Sequence, residues 1–399
     1  MEIDVLRHIA LSYSPMIDRN RAVVATRLTV SALKPGSVLQ ADELLQAIAQ
    51  VWPEGGARVS LNIMSENLLN DLMRAKPLAN VMVEVPSFIA SDPANTAVIQ
   101  QLHKNGTTLL LHGRPFPTSL PRELLPCFKY SIIDLSDDRR KNEAPGHSDP
   151  GVTRSIGFIQ SGVRTVAEME ASFGRGALAI LGWPIENVIS SSGAKAGQPD
   201  MAVLVELIRR VDAADEIEKL EAVLKRDPSL AFQLMRYINS PAFGLSVEIS
   251  SFRHAIMLLG YKRLKRWLAL LLATASKDAN MRPVMFASVR RGLFMEQLVG
   301  SAGDEEMRSE VFICGVFSLL DRLFHKPFDE LLKTIPVPER VYQALVDGSG
   351  PYQPYLELAK AVETETAPVI NEHAEHLLMT LAETNRAVLG TLTAAGQLE

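Results

Sequence analysis

Residues 226–272 read RDPSLAFQLMRYINSPAFGLSVEISSFRHAIMLLGYKRLKRWLALLL, and the rest of the chain is organised around them. Asp227-Pro228 is a helix start: a capping carboxylate, then a proline that needs no N–H at the first helical position. Leu230, Leu234 and Ile238 recur at helical spacing, and Met235 widens the stripe. Asn239-Ser240-Pro241 stops that helix, because Pro241 has no N–H and disfavours helix in the residue before it. Ser250 or Ser251 caps a second helix, in which Phe252, Ile256 and Leu259 share one face. Gly260 interrupts it, and Leu264, Trp267, Leu268 and Leu271 resume the pattern. The spacing predicts a packed helical hairpin with an irregular loop at its tip, without the pattern of a nucleophile, a metal cluster or a phosphate loop.

Helical runs continue on both sides of this hairpin, from Met201 to Leu392, with no β signal among them. Before them, Ser190–Pro199 (SSSGAKAGQP) is small, polar and rich in Gly and Ser, as a flexible linker is. Upstream of it, short β-like runs alternate with helical runs. The expected strands are Ile9–Ile17, Ala22–Val30, Val59–Ile63, Val81–Val85, Thr107–Leu111, Tyr130–Leu135, Ser155–Gln160 and Leu178–Leu181. Asp18-Arg19-Asn20-Arg21 is a hairpin turn between the first two. Such alternation implies an α/β fold, a compact (β/α) barrel, with the polar run Leu135–Arg154 as an inserted loop. The expected organisation is a barrel at 1–189, a linker at 190–199 and an all-α domain at 200–399.

The length of 399 residues suits about two or three domains. The net charge of −5 and pI near 6.0 argue against a general nucleic-acid or membrane-surface binder. Cys127 and Cys314 are the only cysteines, which excludes a disulfide framework and suits a reducing cytoplasm. Glu2 and Asp4 at the start, and a longest apolar run near Leu268–Ala275, leave no signal peptide and no bilayer-spanning segment. The expected location is cytoplasmic.

Asp227-Pro228, Leu234, Asn239-Ser240, Phe243-Gly244, Ile249, Ala255-Ile256 and Leu259-Gly260 resemble the HDOD domain, a non-catalytic relative of the HD-GYP phosphodiesterases. Gly315–Asp321 (GVFSLLD) falls where that family has its buried Gly-Leu helix. In the first half, Tyr13–Arg19 (YSPMIDR), Val59–Ser65 (VSLNIMS), Val81–Pro86 (VMVEVP), Phe158–Thr165 (FIQSGVRT) and Leu181-Gly182-Trp183 resemble the EAL domain, the (β/α) barrel whose active members cleave cyclic di-GMP. An EAL domain followed by an HDOD domain is a bacterial signalling architecture.

The resemblance implies a degenerate EAL domain. Asn62 and Glu84 sit at two family ligand positions. Thr26 stands for a carboxylate, the phosphate-binding Arg falls near Val30, and Ser87 replaces a second carboxylate. His112-Gly113 replaces a paired Asp motif, the catalytic Lys falls near Ile132, and later Glu positions are Ser161 and Arg164. Two metals need several converging carboxylates, which this set lacks. In the helical half, the place of an HD metal pair is Ser318-Leu319, with Asp321 one turn later. No cofactor and no metal is therefore expected.

Other candidates carry two readings each. His373 and His376, with Glu372 and Glu375, read as a metal site or as a polar helix face. Lys262, Arg263, Lys265 and Arg266 beside Trp267 read as a solvated face, as an interaction patch for an acidic partner, or as a nucleic-acid contact. Asn62 and Glu84 read as vestigial ligands or as a strand-end hydrogen-bonding pair. Asn239, Ser240, Phe243 and Gly244 read as a structural loop or a partner-facing one. Cys314, among apolar neighbours, reads as a buried small hydrophobe. Together these point to a non-catalytic signalling scaffold acting through protein–protein interaction, in or near cyclic di-GMP signalling, whose partners are other signalling proteins. The alternatives are a cyclic di-GMP receptor without hydrolysis and a residual metal-dependent nucleotide phosphodiesterase.

Overall fold

The computed structural model describes the chain apart from residues 1–3, 35, 38, 53–57, 76, 78, 114–119, 139–155, 187–198, 225–251, 275–278, 301–302, 334, 365 and 397–399. The Ser190–Pro199 linker (but for Pro199), the inserted loop beyond Asp138 and the Asn239–Gly244 loop thus lie outside the described residues. Packing divides the chain into two compact units. One comprises Met1–Val188, Arg282–Ala287 and Glu357–Glu399; the other comprises Ile189–Met281 and Ser288–Leu356.

The first unit holds a closed barrel of eight strands in sequence order. They are β1 (Ile9–Asp18), β2 (Val23–Ala32), β3 (Val59–Ile63), β4 (Val81–Pro86), β5 (Thr108–His112), β6 (Phe128–Asp134), β7 (Gly157–Ser161) and β8 (Ala179–Leu181). β1 runs antiparallel to both neighbours, β2 and β8; the other neighbouring pairs are parallel. The reversal follows from the short β1–β2 connection, because a parallel pair needs a crossover of a dozen residues or more. Asp18 builds that turn: its Oδ1 accepts the N–H groups of Asn20 at 2.8 Å and Ala22 at 2.9 Å, while Arg21 takes a φ of 64°.

Side chains alternate across each strand. Ala25, Met82, Leu110, Ile132, Ile159, Ala179 and Leu181 form the interior with Met16. The outward positions are apolar too, because helices cover them. Helix Glu66–Arg74 buries Leu68, Leu69, Leu72 and Met73, and helix Thr96–Lys104 buries Ile99 and Leu102. A capping box of Thr165 and Glu168 starts helix Val166–Gly174.

β8 is short and pairs with β1 at Met16, Ile17 and Asp18. Upstream along the same edge, side chains stand in for a strand. The Asn385 carboxamide accepts the Leu11 N–H at 2.9 Å and donates to the Ile9 carbonyl at 2.8 Å, with a further bond to the Leu6 carbonyl at 2.8 Å. The Trp183 indole N–H points at the Tyr13 carbonyl at 3.3 Å and the Glu363 carbonyl at 3.1 Å. Residues 9, 11 and 13 present their backbone groups to one side, so this row is the free edge of β1. Asn385 lies in helix Leu381–Gly396, whose Thr393 hydroxyl also reaches the Val51 carbonyl at 3.2 Å. Glu357–Glu399 therefore packs with the barrel, a difference from the single helical domain expected over 200–399.

The second unit is helical. Among its helices are Pro199–Asp212, Ile217–Leu224, Phe252–Thr274 and Glu305–Phe317. Gly260 breaks the third with φ 67° and ψ 167°, as its position between the two apolar patterns predicts. Leu264, Trp267, Leu268 and Leu272 are buried beyond the break. Gly315 meets Gly292 so closely that a Cβ on Gly315 would sit 2.6 Å from the Gly292 Cα.

Candidate functional site

The inward row of the barrel turns polar at the carboxyl ends of the strands. Glu84 is the centre of this group and is 1% exposed. Arg27 holds it with both arms of its guanidinium: Nε donates to Oε1 at 3.0 Å and Nη2 to Oε2 at 2.6 Å. The Ser60 hydroxyl adds a bond to Oε1 at 2.8 Å. A forked, charge-assisted pair of this kind is strong and fixes both planes. Register explains the meeting. Arg27 stands beside Ser60 on β3, and Glu84 lies on β4, the next strand, one inward step beyond Met82.

His112 leans on the same pair. Its Nδ1 lies 3.6 Å from Glu84 Oε2 and 3.4 Å from Arg27 Nη2. Burial, then the Arg27 charge, hold its pKa below the ordinary value despite Glu84 and Asp134. A neutral ring with a lone pair on Nδ1 suits a guanidinium neighbour. Asp134 closes the group on β6. Burial pushes its pKa up, but hydrogen bonds from the Ser136 hydroxyl (2.6 Å), the Ser136 N–H (2.9 Å) and the Ser161 hydroxyl (3.2 Å) outweigh burial and bring it below the ordinary carboxylate value.

Asn62 and Glu84 do not act as one pair. Asn62 Nδ2 donates to the Thr29 hydroxyl at 3.2 Å and approaches Met64 Sδ at 3.7 Å, while Glu84 belongs to Arg27 and Ser60. Thr26, which the EAL resemblance sets at a carboxylate position, is on the outer side of β2, and its N–H bonds to the Arg58 carbonyl. Arg27 is the residue that faces the interior. A one-residue offset in a strand exchanges its faces, and that offset hid the arginine. The available signal was a charged residue at the parity of Ala25, facing a buried Glu84.

In the second unit, helix Glu305–Phe317 ends before the expected Ser318-Leu319. The Ser318 hydroxyl bonds to the Gly315 carbonyl at 2.7 Å and receives Arg291 Nη1 at 3.3 Å. Burial pushes the Asp321 carboxyl up. Cys314 is fully buried. In the first unit, His373 and His376 stack edge to face with ring centroids 6.3 Å apart. Among the described residues, no group of three or more His, Cys, Asp or Glu is arranged to hold a metal ion. The four-residue basic patch divides. Lys265 pairs with Asp212, and Arg266 pairs with Glu296 and lies 3.8 Å over the Phe312 ring. Lys262 and Arg263 stay exposed. Asn239, Ser240, Phe243 and Gly244 lie outside the described residues. Among the described residues, no helix is long and apolar enough to cross a membrane.

These features define a chain with a closed eight-stranded barrel followed by a helical domain, and residues 199–326 of it match the HDOD domain. Over 386 residues it is 23% identical to the uncharacterized protein YuxH of Bacillus subtilis, covering 92% of this chain and 94% of that one. It is 22% identical over 338 residues to the cyclic di-GMP phosphodiesterase CdgJ of Vibrio cholerae, covering 84% of this chain and 77% of CdgJ. Among solved structures, the PaMucR phosphodiesterase in its c-di-GMP complex is similar with a TM-score of 0.33 at 16% identity, covering 45% of this chain and 96% of that one. The chain is thus similar over most of its length to two bacterial proteins, of which CdgJ is a cyclic di-GMP phosphodiesterase, and carries an HDOD match in its helical part.

Proposed function

We propose that the chain is a non-catalytic signalling scaffold in or near cyclic di-GMP signalling, acting on other signalling proteins by contact. The forked Arg27–Glu84 pair carries this reading. Hydrolysis by an EAL-type barrel needs divalent cations at the strand ends, and Glu84 is the buried carboxylate there that matches a family ligand. Its oxygens are already committed to a fixed cation. A divalent ion about 4 Å from the guanidinium meets a repulsion of about 8 kcal/mol at an effective dielectric of 20. The residues at the mouth therefore do not fit a metal pair.

The retained Asn62 and Glu84 motivate a second reading, a receptor that binds cyclic di-GMP and leaves it intact, whereas the similarity to CdgJ, a cyclic di-GMP phosphodiesterase, favours residual hydrolysis. One experiment separates the readings: titration calorimetry of the full chain with cyclic di-GMP, with and without Mg²⁺ or Mn²⁺, then chromatography of the nucleotide. The scaffold reading expects no heat and intact nucleotide. Micromolar binding with intact nucleotide supports the receptor, with Asn62 and Glu84 the first residues to replace. A linear product overturns both and makes the chain a phosphodiesterase.

A further inference from the structure

We propose that the exposed face of helix Phe252–Thr274 is a docking surface for an acidic helical segment of a partner protein that carries leucine-type side chains. The proposal deepens the scaffold reading and rests on it. Met257 is 65% exposed and Leu258 46%, on a helix whose Ala255, Ile256 and Leu259 are buried. The apolar residues before Gly260 thus divide into a packed stripe and an exposed pair. Burial of such a pair by a partner is favourable in proportion to the apolar area covered.

Charge identifies the partner. Lys265 and Arg266 are spent on Asp212 and Glu296 within the unit. Lys262 and Arg263 are exposed and have no ion pair with a described residue. They follow Met257 and Leu258 closely, across the break at Gly260, where a Cβ would meet only open space. Two exposed cations that follow two exposed apolar side chains within a few residues of sequence, on a chain of net charge −5, complement carboxylates that flank leucines. A short amphipathic helix offers that combination at i, i+3 and i+4. Duplex DNA fits less well, since two cations neutralise few phosphates. A lipid surface fits less well too, since an interfacial helix needs a continuous apolar face, and here most apolar side chains point into the unit.

The test uses the full chain and a fluorescent synthetic peptide, a Glu-rich helix with leucines on one face, read by anisotropy. Wild type is expected to bind, more weakly as salt rises. K262E/R263E should weaken binding about tenfold and flatten the salt dependence, and M257Q/L258Q should weaken it about fivefold. K326E, on another exposed ion pair of the same unit, should bind as wild type does. Circular dichroism and melting of each variant keep lost binding distinct from lost folding, because all these positions are exposed. No binding, or binding that neither double variant alters, overturns the proposal. So does tighter binding of a DNA duplex or of phosphatidylserine vesicles through the same residues. Self-association in sedimentation that M257Q/L258Q abolishes also overturns it, by naming a second copy as the occupant. Nucleotide chromatography is read separately: product formation sinks the scaffold reading, whereas absent peptide binding with intact nucleotide sinks only this surface.

Discussion

Asn385 and Leu11 are separated by 374 residues, yet the Asn385 carboxamide receives the Leu11 backbone N–H at 2.9 Å as a neighbouring strand would. Its nitrogen returns the bond to the Ile9 carbonyl, so one side chain imitates a peptide unit where β8 has ended. Asn385 is fully buried. Replacement by leucine of similar volume would leave Leu11 N–H and the Leu6 and Ile9 carbonyls without it. The expected loss for N385L is about 2–4 kcal/mol, at the cost typical of unsatisfied buried groups. Urea unfolding followed by tryptophan fluorescence checks it, and N385D, which sets a buried carboxylate oxygen against the Leu6 and Ile9 carbonyls in place of a donor, should be no more stable than N385L at neutral pH.

The Arg27–Glu84 pair predicts a strong asymmetry between single and double variants. R27M leaves a buried carboxylate with the Ser60 hydroxyl and the neighbouring His112 ring, and should cost about 3–5 kcal/mol. E84Q keeps an acceptor for Ser60 but strands the guanidinium. The double variant R27M/E84Q should be more stable than the sum of the singles requires. A double-mutant cycle in denaturant measures that coupling; strictly additive effects would contradict the pairing.

His112 gives the barrel a pH dependence of definite sign. Unfolded, it titrates near its ordinary value of 6.5; folded, burial and then Arg27 hold it lower. Below 6.5 the unfolded chain binds the proton more readily, so stability falls as pH drops from 6.5 towards the folded value. H112N should flatten that limb. Asp134, also lowered, acts in a separate window: its contribution is present above 3.8 and is lost as pH falls through its folded value. Melting temperature against pH for wild type, H112N and D134N resolves the two.

Gly315 and Gly260 should respond differently to alanine. In G315A the new methyl meets Gly292 backbone at 2.6 Å, so helices must part, costing about 3 kcal/mol or more. In G260A there is open space, and the cost comes from a left-handed φ of 67°, about 1–3 kcal/mol. Differential scanning calorimetry of the two should rank G315A as the less stable.

The barrel was largely legible because its signal is local. Val81–Pro86 or Thr108–His112 show a strand's length and composition within a few residues, and the Asp18–Arg21 turn carries its own chemistry. The site was less legible because it depends on faces and distant partners. Thr26 reads as a lost carboxylate until strand parity turns Arg27, not Thr26, towards Glu84, 57 residues from Arg27. The return of Leu381–Gly396 to β1 left no local mark at all, since an asparagine within a helix reads as an ordinary polar position. The basic patch was legible as four charges, but the two spent internally differ from the two left outside only through Asp212 and Glu296.

The free edge of β1 has a consequence for synthesis. A ribosome makes Leu11 on β1 374 residues before Asn385, the residue that completes its edge. At about 5–20 residues per second, Asn385 emerges roughly 10–40 seconds after β8. Until then the Leu6–Leu11 backbone groups that Asn385 satisfies stay open to water or to another chain's strand. A stop codon a few residues before Asn385 would leave every barrel strand intact and make that opening permanent, so such truncations should aggregate rather than merely soften.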